Sequence, residues 1–337
     1  MGGSFFGSDF YREANTANSL PLELICGLHN IEPHHRGNVA TIGSFDGVHL
    51  GHQAVIRQVV AQAKRLKLPA MAVIFEPQPH ELFSGVKAPA RLMRFRDKVI
   101  ALKAAGVGRV FCLRFNHHLS HSSAREFIDK ILVKGLGVKH LVIGDDFRFG
   151  CDREGDYDLL STIGAQSGFT VASSDTYCID GERVSSTRIR QLLATGQFSL
   201  AATLLGHPYT ISGKVARGQQ IGRKLGFPTA NVHLHRHRSP LEGVFAVTAA
   251  LTLNAKSITK KLPGVANIGI RPTLGGDNKP LLEVHLLDRY DDIYGATINV
   301  EFKRKLRAEK HFENVEQLKS QIRLDLQATR DYFSLED

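Results

Sequence analysis

The stretch Val39–His52, VATIGSFDGVHLGH, decides how the first part of this chain folds. It opens with a short apolar run, which predicts a buried strand. The turn that follows contains three glycines, Gly43, Gly47 and Gly51. A helix is then predicted from about His52. Glycines between a strand and a helix let main-chain N–H groups approach an anion, and the helix dipole favours the same anion.

Two histidines, His49 and His52, stand three positions apart at the entrance of this helix, so both imidazoles can face one anion. An H-x-G-H step suits a nucleotide α-phosphate, which gains negative charge when it is attacked. The alternative is a loop with incidental histidines, because the chain has sixteen. The strand, turn and helix around the pair favour a phosphate site. Its other predicted phosphate-binding residues are Gly43, Ser44, Phe45 and Gly51.

Length and composition indicate a globular protein of two domains. With 337 residues, the chain can bury a core in each of two domains. Its apolar runs are shorter than the ~20 residues that a membrane helix needs. Residues 1–20 lack the continuous apolar segment of a signal peptide. We therefore expect a cytoplasmic protein with a loose N-terminal extension.

The cysteines and the net charge do not by themselves distinguish one function from another. The four cysteines form no C-x-x-C pair, which favours a reduced protein without structural disulfides or a zinc site. The formal net charge of +10 is spread over both halves of the chain. That balance suits nucleic acid, but it suits small polyanions such as ATP equally well.

Apolar strands alternate with amphipathic helices from residue 39 to about 205. This alternation predicts a parallel sheet in a Rossmann-like α/β domain. A capping box formed by Ser123 and Glu126 predicts the start of a helix that runs to Leu132. The predicted strands are Val39–Gly43, Ala70–Phe75, Arg109–Leu113, His140–Gly144 and Thr170–Ala172. The other predicted helices are Gln53–Leu66, Asp97–Ala105 and Phe198–Leu205.

Four polar loops follow strands of this predicted sheet. Ligands of such sheets bind beyond the carboxyl ends of the strands, so the loops predict one composite pocket. The loops are GSFDGVHLGH, FEPQPH (Phe75–His80), RFN (Arg114–Asn116) and GDDFRFG (Gly144–Gly150).

The segment SSTRIR, Ser185–Arg190, places two arginines at the start of a helix that is predicted to reach Leu193. Arginine side chains suit phosphate oxygens, and the serines can cap the helix and donate to the same anion. A capped surface helix is the alternative. The predicted phosphate ligands are Ser186, Arg188 and Arg190. We place the domain boundary after Gly206, which gives an extension at 1–20 and domains at 21–206 and 207–337.

From Tyr209 onward the pattern changes to strands with a period of two. This density of antiparallel strands predicts a small Greek-key β-barrel. Apolar residues at helical spacing from Val315 to Thr329 predict a C-terminal helix that packs on the barrel without a chemical role. The predicted strands are Thr210–Val215, Gly243–Leu253, Val265–Ile270, Leu281–Leu287 and Ala296–Phe302. Turns are predicted at Gly275–Asn278 and Asp291–Gly295.

The stretch Gly213–Asn231, GKVARGQQIGRKLGFPTAN, is a basic, glycine-rich loop suited to phosphates, although it lacks the Walker A pattern. The Thr229 hydroxyl and the Asn231 amide are candidate ligands of Mg²⁺ or of a phosphate. Glu283 points away from the apolar face of its strand, where a carboxylate can take a proton from an alcohol that attacks a γ-phosphate. A solvated strand glutamate is the alternative. The predicted phosphate-binding residues are Gly213, Gly222 and Arg223.

Together these segments resemble the bacterial bifunctional riboflavin kinase/FMN adenylyltransferases, also called FAD synthetases. The resemblance covers about Leu24–Phe333. The H-x-G-H and S-S-T-R-I-R motifs occur in variant form in other nucleotidyltransferases, whereas their combination with GFPTAN is much more specific. The shared motifs stand in the family's order: GSFDGVHLGH, FEPQP, RFN, GDDFRFG, SSTRIR, GRKLGFPTAN, NIGIRPT and LEVHLLD.

The resemblance implies that the second domain phosphorylates riboflavin to FMN with ATP and Mg²⁺. The first domain would transfer AMP from a second ATP to FMN, which gives FAD and pyrophosphate. His49 and His52 would stabilise charge at the α-phosphate, while Glu283 would be the base of the kinase step. The expected partners are ATP, riboflavin and FMN, without nucleic acid or membrane. The expected assembly is a monomer or a weak homo-oligomer.

The resemblance also implies further ligand contacts. Asn116 and Asp146 would hold ATP or FMN, and Asn267 and Arg271 would line the flavin side. His235–Arg238, HRHR, is an unusually basic stretch nearby, which we interpret as a solvated loop.

Two other functions stay open at the level of sequence. A related nucleotidyltransferase could adenylate a different phosphate ester, but it would not need the GFPTAN and LEVHLLD segments. A nucleic-acid-binding protein would carry clustered basic residues interleaved with exposed aromatic residues. In this chain the aromatic residues lie mostly within apolar runs.

Overall fold

The structure is a computed structural model that describes residues 22–217, 221–253, 256–272, 278–287 and 293–334. Its described part divides into two compact units. The first unit contains residues 22–89 and 93–186, and the second contains residues 90–92 and those from 187 onward. The extension predicted at 1–20 lies outside the described residues, and the boundary predicted after Gly206 stays a prediction.

The first unit is built on a six-stranded parallel sheet, as the alternation of strands and helices predicted. The strand order is β1–β4–β3–β2–β5–β6. The strands are β1 Glu23–Cys26, β2 Asn38–Ile42, β3 Ala70–Glu76, β4 Arg109–Arg114, β5 Val138–Gly144 and β6 Thr170–Ser174. The sequence analysis missed β1, a four-residue edge strand that pairs with β4.

Helices connect these strands. The capping box at Ser123 and Glu126 is confirmed, but the helix that it begins continues as a π-helix over Ile128–Gly135. The α-helices are α1 Leu50–Leu66, α2 Pro79–Ser84, α3 Phe95–Ala104, α4 His117–Ser120, α5 Ala124–Phe127 and α6 Tyr157–Ser167. A two-stranded hairpin of β7 (Cys178–Ile179) and β8 (Glu182–Arg183) completes the unit.

The strand order positions the site. From β2 the chain adds β3 and β4 on one side of the sheet and β5 and β6 on the other side. The order therefore reverses between β2 and β5, and open parallel sheets bind ligands in the crevice at such a point. The loops that follow β2 and β5 are GSFDGVHLGH and GDDFRFG. The fold thus brings two of the four polar loops together.

Burial explains why β2 is mostly apolar and carries no charged residue. All five of its residues are buried, because helices cover both faces of a parallel sheet. Helix α1 contributes one apolar stripe, formed by Ile56, Val59 and Ala63, which are at most 4% exposed. This packing fixes the direction of α1, and therefore the position of its first turn at the crevice.

The second unit contains a closed six-stranded antiparallel barrel. Strands β11, β12 and β13 follow one another, and β14 returns beside β11, which is the order of a Greek key. The strands are β9 Thr210–Ala216, β10 Ala230–His233, β11 Gly243–Leu253, β12 Lys256–Pro272, β13 Asn278–Leu286 and β14 Thr297–Arg307. The helices are α7 Ser186–Ala194, α8 Phe198–Leu205, α9 Ile221–Lys224 and α10 Val315–Ser334.

Several predictions for this unit need correction. The loop predicted over Gly213–Asn231 starts only after β9, and its last part forms the short strand β10. Residues 218–220, three residues of the turn predicted at Gly275–Asn278 and two residues of the turn predicted at Asp291–Gly295 lie outside the described residues. The HRHR stretch is not a solvated loop throughout: Arg236 is 8% exposed and donates a 2.7 Å hydrogen bond to the Arg91 carbonyl.

Gly150 is required by its backbone and by its surroundings. Its φ of 77° and ψ of 175° belong to a region that only glycine visits readily, and a Cβ there would lie 2.7 Å from the Ala124 nitrogen. Gly168, at the end of α6, has a φ of 79° but open space around it.

We expect Gly150→Ala to lower the free energy of unfolding of the first unit by about 3 kcal/mol, since strain and overlap add. Gly168→Ala should cost only about 1 kcal/mol, for the strain alone. Differential scanning calorimetry of both variants measures the difference. Equal losses would show that the contact with Ala124 is irrelevant.

Candidate active sites

The turn between β2 and α1 is strained. Phe45 and Val48 both have positive φ values, 46° and 41°. Such values are uncommon for a non-glycine residue and are true outliers for a β-branched one. Both side chains are at most 3% exposed. Strain of this kind persists only where the surrounding structure holds it, and it concentrates at functional sites.

Hydrogen bonds hold this turn from several directions. The main-chain N–H of Val48 donates to Phe45 over 3.2 Å, and the Gln53 side chain donates to the Val48 carbonyl over 2.9 Å. The sequence analysis missed Asp46, which is 2% exposed. Its carboxylate accepts the Met93 N–H over 3.1 Å, and its carbonyl accepts the Ser186 hydroxyl over 2.8 Å. Asp46 therefore brings the predicted phosphate ligand Ser186 to the turn.

His49 and His52 form one unit. Helix α1 begins at Leu50, not at His52, so His49 is its N-cap residue and accepts the His52 N–H through Nδ1 over 3.4 Å. The two rings are stacked, with centroids 3.6 Å apart. Because Nδ1 of His49 accepts, a neutral ring carries its proton on Nε2, and that atom can donate to an anion.

His52 is kept neutral. Burial lowers its pKa well below the ordinary value of 6.5, and the nearby His49 and Lys98 lower it further. Lys98 is itself only 1% exposed. The pair therefore acts through hydrogen bonds and the positive end of the α1 dipole, not through two full charges.

His49 and His52 line a cavity of about 290 Å³ in the first unit. The cavity lies at the point where the strand order reverses, between the loops after β2 and β5. Of the predicted site residues, it brings together Gly43, Phe45, His49, Gly51, His52, Asp146 and Ser186. Ser44 lies in the same turn but does not line the cavity.

Acidic residues of the loop after β5 contact the segment around the hairpin. Asp146 is paired with Arg183 on β8, with 2.6 Å between the carboxylate and the guanidinium. Asp145 accepts a hydrogen bond from the Thr176 hydroxyl. Arg183 lines the same cavity and was not predicted, because an isolated arginine carries no motif.

Three other predicted site residues, Asn116, Arg188 and Arg190, do not line this cavity. Asn116 caps α4, since its side-chain oxygen accepts the Leu119 N–H over 2.9 Å. Arg188 and Arg190 lie on the part of α7 that belongs to the second unit. There Arg190 donates through Nε to the Ala90 carbonyl over 2.6 Å. Ligand contacts by these three residues stay predictions.

A second cavity, of about 300 Å³, lies entirely within the second unit. Three polar residues form a row across neighbouring strands of its wall: Asn231 on β10, Glu283 on β13 and Asn267 on β12 are register partners. Leu282 and Val284, on either side of Glu283, are buried in the barrel, as the alternation predicted. The Glu283 carboxylate therefore lies between two amides on the face that lines the cavity.

The structure also shows where most of the other predicted site residues of the barrel unit lie. Gly222 and Thr229 line the cavity, while Arg223 is exposed. His285, two residues after Glu283, donates to the Pro228 carbonyl over 2.8 Å and so anchors the segment that carries Thr229. Gly213 lies within β9, in register with Ile298, and not in a loop. The Arg271 side chain lies outside the described part of the structure.

Helix α10 forms one wall of this cavity, which corrects the expectation that it only packs on the barrel. An ion pair attaches it to β14, because Arg307 donates to both carboxylate oxygens of Asp325 over 2.8–3.1 Å. In the preceding loop, Glu309 accepts from the Asn267 amide over 3.4 Å. The side-chain oxygen of Asn267 is buried without a hydrogen-bond partner and so is available to a ligand.

The donor set of this cavity fits a magnesium ion. Thr229 and Asn231 offer a hydroxyl and an amide oxygen, and Mg²⁺ prefers hard oxygen ligands together with substrate phosphates. The first cavity differs, since two imidazoles, those of His49 and His52, line it beside the glycine-rich turn. The two cavities therefore suit different phosphate chemistry.

Fold and cavities together define a two-domain enzyme, with an α/β unit of the nucleotidyltransferase type and a β-barrel unit of the kinase type. Family models agree with this division: the FAD synthetase family matches residues 31–188, and the riboflavin kinase family matches residues 205–333. The chain belongs to the bifunctional riboflavin kinase/FMN adenylyltransferase family, which confirms the resemblance found in the sequence.

Individual relatives give the extent of the similarity. The bifunctional riboflavin kinase/FMN adenylyltransferase of Pseudomonas fluorescens is 51% identical over 92% of this chain and 97% of its own length. That of Escherichia coli K12 is 48% identical over 93% of this chain and 99% of its own length.

A solved structure shares the whole fold. It is a Streptococcus pneumoniae chain described as a macrolide-efflux protein, 28% identical, with a TM-score of 0.74 over 92% of this chain and 99% of its own. Among the described residues of the present chain, no helix is both long and apolar enough to cross a bilayer.

The lowered pKa of His52 predicts a pH dependence of stability. Below its ordinary pKa of 6.5 the unfolded chain binds a proton on His52, whereas the folded chain does not. The free energy of unfolding should therefore fall as the pH is lowered from 7 to 5. Urea unfolding at several pH values measures this fall. His52→Gln should show a smaller fall, and the part that remains comes from His140, whose pKa is also lowered by burial. An unchanged slope would contradict a neutral His52.

Proposed function

We propose that the two reactions of this family are divided between the two cavities. The barrel cavity phosphorylates riboflavin with ATP to give FMN. The crevice of the parallel sheet then transfers AMP from a second ATP to FMN, which gives FAD and pyrophosphate. One observation carries this division: the cavity with a carboxylate between two amides lies in one unit, and the cavity with the stacked histidines lies in the other.

Adenylyl transfer needs alignment and charge stabilisation but no base, because the FMN phosphate is already an anion. An FMN phosphate oxygen attacks the α-phosphorus of ATP, and pyrophosphate leaves with the bond electrons. His49 donates a hydrogen bond from Nε2 to the α-phosphate as negative charge builds up there. His52, Ser186 and the first turn of α1 hold the geometry, and the positive end of the helix dipole adds to the effect.

The kinase step differs because its nucleophile is a neutral hydroxyl of the ribityl chain. Glu283 accepts the proton of this hydroxyl as its oxygen attacks the γ-phosphorus of ATP. Asn231 and Asn267 hold the carboxylate and the substrate on either side. Thr229 and Asn231 would bind Mg²⁺, which neutralises charge on the ATP phosphates when it is bound.

The other assigned residues act as ligands. For adenylyl transfer, the residues that bind ATP phosphates are Arg188, Arg190, Gly43, Ser44, Phe45 and Gly51. In the barrel unit, the residues that bind ATP phosphates are Gly213, Gly222 and Arg223. Asn116 and Asp146 hold ATP or FMN, and Asn267 and Arg271 hold the flavin. The protein works in the cytoplasm as a monomer or a weak homo-oligomer.

If each cavity carries out one reaction, a substitution in one cavity should slow that reaction and spare the other. His49→Ala should slow adenylyl transfer about 10²–10³-fold, because a charge-stabilising donor is lost, while FMN formation continues. Glu283→Ala should slow FMN formation about 10²–10⁴-fold and leave the conversion of FMN to FAD intact. Chromatography of flavins after incubation with ATP and Mg²⁺ measures both steps.

This experiment needs a wild-type control, and one outcome would contradict the proposal. Wild-type protein must convert riboflavin to FMN and FAD under the same conditions. Equal damage to both steps by either variant would contradict the assignment of the two sites.

Loss of the Thr229 hydroxyl should weaken the use of Mg²⁺. In Thr229→Val the hydroxyl is replaced by a methyl group of similar size, and we expect the Mg²⁺ concentration at half-maximal FMN formation to rise about 10–100-fold. A titration of the kinase rate with Mg²⁺ measures this. Thr203→Val, on α8, is the matched control and should leave the titration unchanged. An unchanged titration in Thr229→Val would remove this residue from the metal site.

A further inference from the structure

Two of the four cysteines are direct neighbours in the parallel sheet. Cys26 ends the edge strand β1, and its register partner on β4 is Cys112. Paired strands place such Cα atoms about 4.8 Å apart. That separation lies inside the range of about 4.4–6.8 Å that disulfides span.

The two thiols differ in access. Cys26 is exposed, whereas Cys112 is 8% exposed and belongs to the core between α1, α3 and the sheet. Burial, together with the adjacent Cys26 thiol and Glu76, raises the pKa of Cys112 to about 12. A reagent in solution can therefore reach Cys26, while Cys112 is shielded from direct attack and lies beside it.

We propose that Cys26 and Cys112 are an oxidisable dithiol that forms a reversible disulfide with reagents of the glutathione-disulfide class. The Cys26 thiolate attacks one sulfur of oxidised glutathione and releases one glutathione. The Cys112 thiolate then attacks the Cys26 sulfur of the mixed disulfide and releases the second glutathione. The two thiol protons leave with the two glutathiones, so one reagent disulfide is reduced for each protein disulfide formed. The second step is the slow one, since Cys112 is seldom ionised.

The other two cysteines offer natural controls. The strand partner of Cys178 is Arg183, so this exposed thiol has no cysteine opposite it. Cys151 lies in a short 3-10 helix over Cys151–Arg153. Neither of these two cysteines is the strand partner of another cysteine.

The cross-link has an expected consequence for the site. Strand β4 ends at Arg114, two residues after Cys112, and the predicted ligand residue Asn116 follows it. A disulfide ties this end of β4 to the edge strand. We therefore expect oxidation to reduce adenylyl transfer and to leave the kinase step unchanged. This consequence rests on the proposed assignment of adenylyl transfer to the first unit.

The test is to incubate the full-length protein with oxidised glutathione, block free thiols with N-ethylmaleimide at intervals, and map the peptides by mass spectrometry. We expect glutathionylated Cys26 first and the Cys26–Cys112 disulfide later. Cys26→Ser should form neither species, and Cys178→Ser should behave as wild type. A glutathione adduct on Cys26 that persists without conversion, or no reaction at Cys26, would overturn the pairing.

Activity is measured on the same samples. We expect adenylyl transfer to fall as the disulfide accumulates and to return with dithiothreitol, while riboflavin phosphorylation stays constant. Cys26→Ser should keep its adenylyl transfer under oxidation. Full adenylyl transfer by completely oxidised protein would overturn the functional consequence. Absence of adenylyl transfer in the reduced protein would instead count against the proposed function, while the peptide map would still test the dithiol.

Discussion

The structure depends on one constraint: the chain must pass from β2 into α1 within seven residues and leave main-chain N–H groups open to an anion. It meets this constraint with two non-glycine residues at positive φ, Phe45 and Val48. Their strain is offset by burial and by hydrogen bonds that converge on the turn from α1, from Met93 and from Ser186. Asp46 bonds both Met93 and Ser186, so the residue that holds the strained turn also brings a predicted phosphate ligand, Ser186, to it. Local strain and site geometry are two results of the same contacts.

In the proposed function, the two units handle phosphate in different ways because their nucleophiles differ. A phosphate oxygen would attack in the first unit, where the neutral His52, the adjacent His49 and a helix dipole would stabilise the developing charge. A neutral alcohol would attack in the second unit, where a carboxylate would accept its proton. Barrel register supplies it between two amides, Asn231 and Asn267, and an ion pair between β14 and α10 closes the cavity around it. Each solution follows from its scaffold: a helix N-terminus at a sheet crevice, and cross-strand neighbours on a barrel wall.

The sequence predicted those features that local pattern encodes. The apolar run of β2, the His49–His52 spacing and the alternation around Glu283 each appear within a few residues, and each is confirmed. Features that depend on pairing between residues far apart in the sequence were not predicted. Strand β1 has four residues and becomes recognisable only by its pairing with β4, and β10 is equally short. Asp46 showed no signal beyond its motif, since its partners Met93 and Ser186 are far along the chain. The row of Asn231, Glu283 and Asn267 depends on the register of three strands, which periodicity does not determine.

Independence of the two sites is the central claim, and complementation between variants tests it most directly. The His49→Ala and Glu283→Ala proteins should each form FAD from riboflavin slowly, because each is slowed in a different step. Mixed together with riboflavin, ATP and Mg²⁺, they should produce FAD, because FMN released by the first variant is the substrate of the second. The account is contradicted if the mixture accumulates FMN without FAD while the Glu283→Ala protein alone still adenylates added FMN.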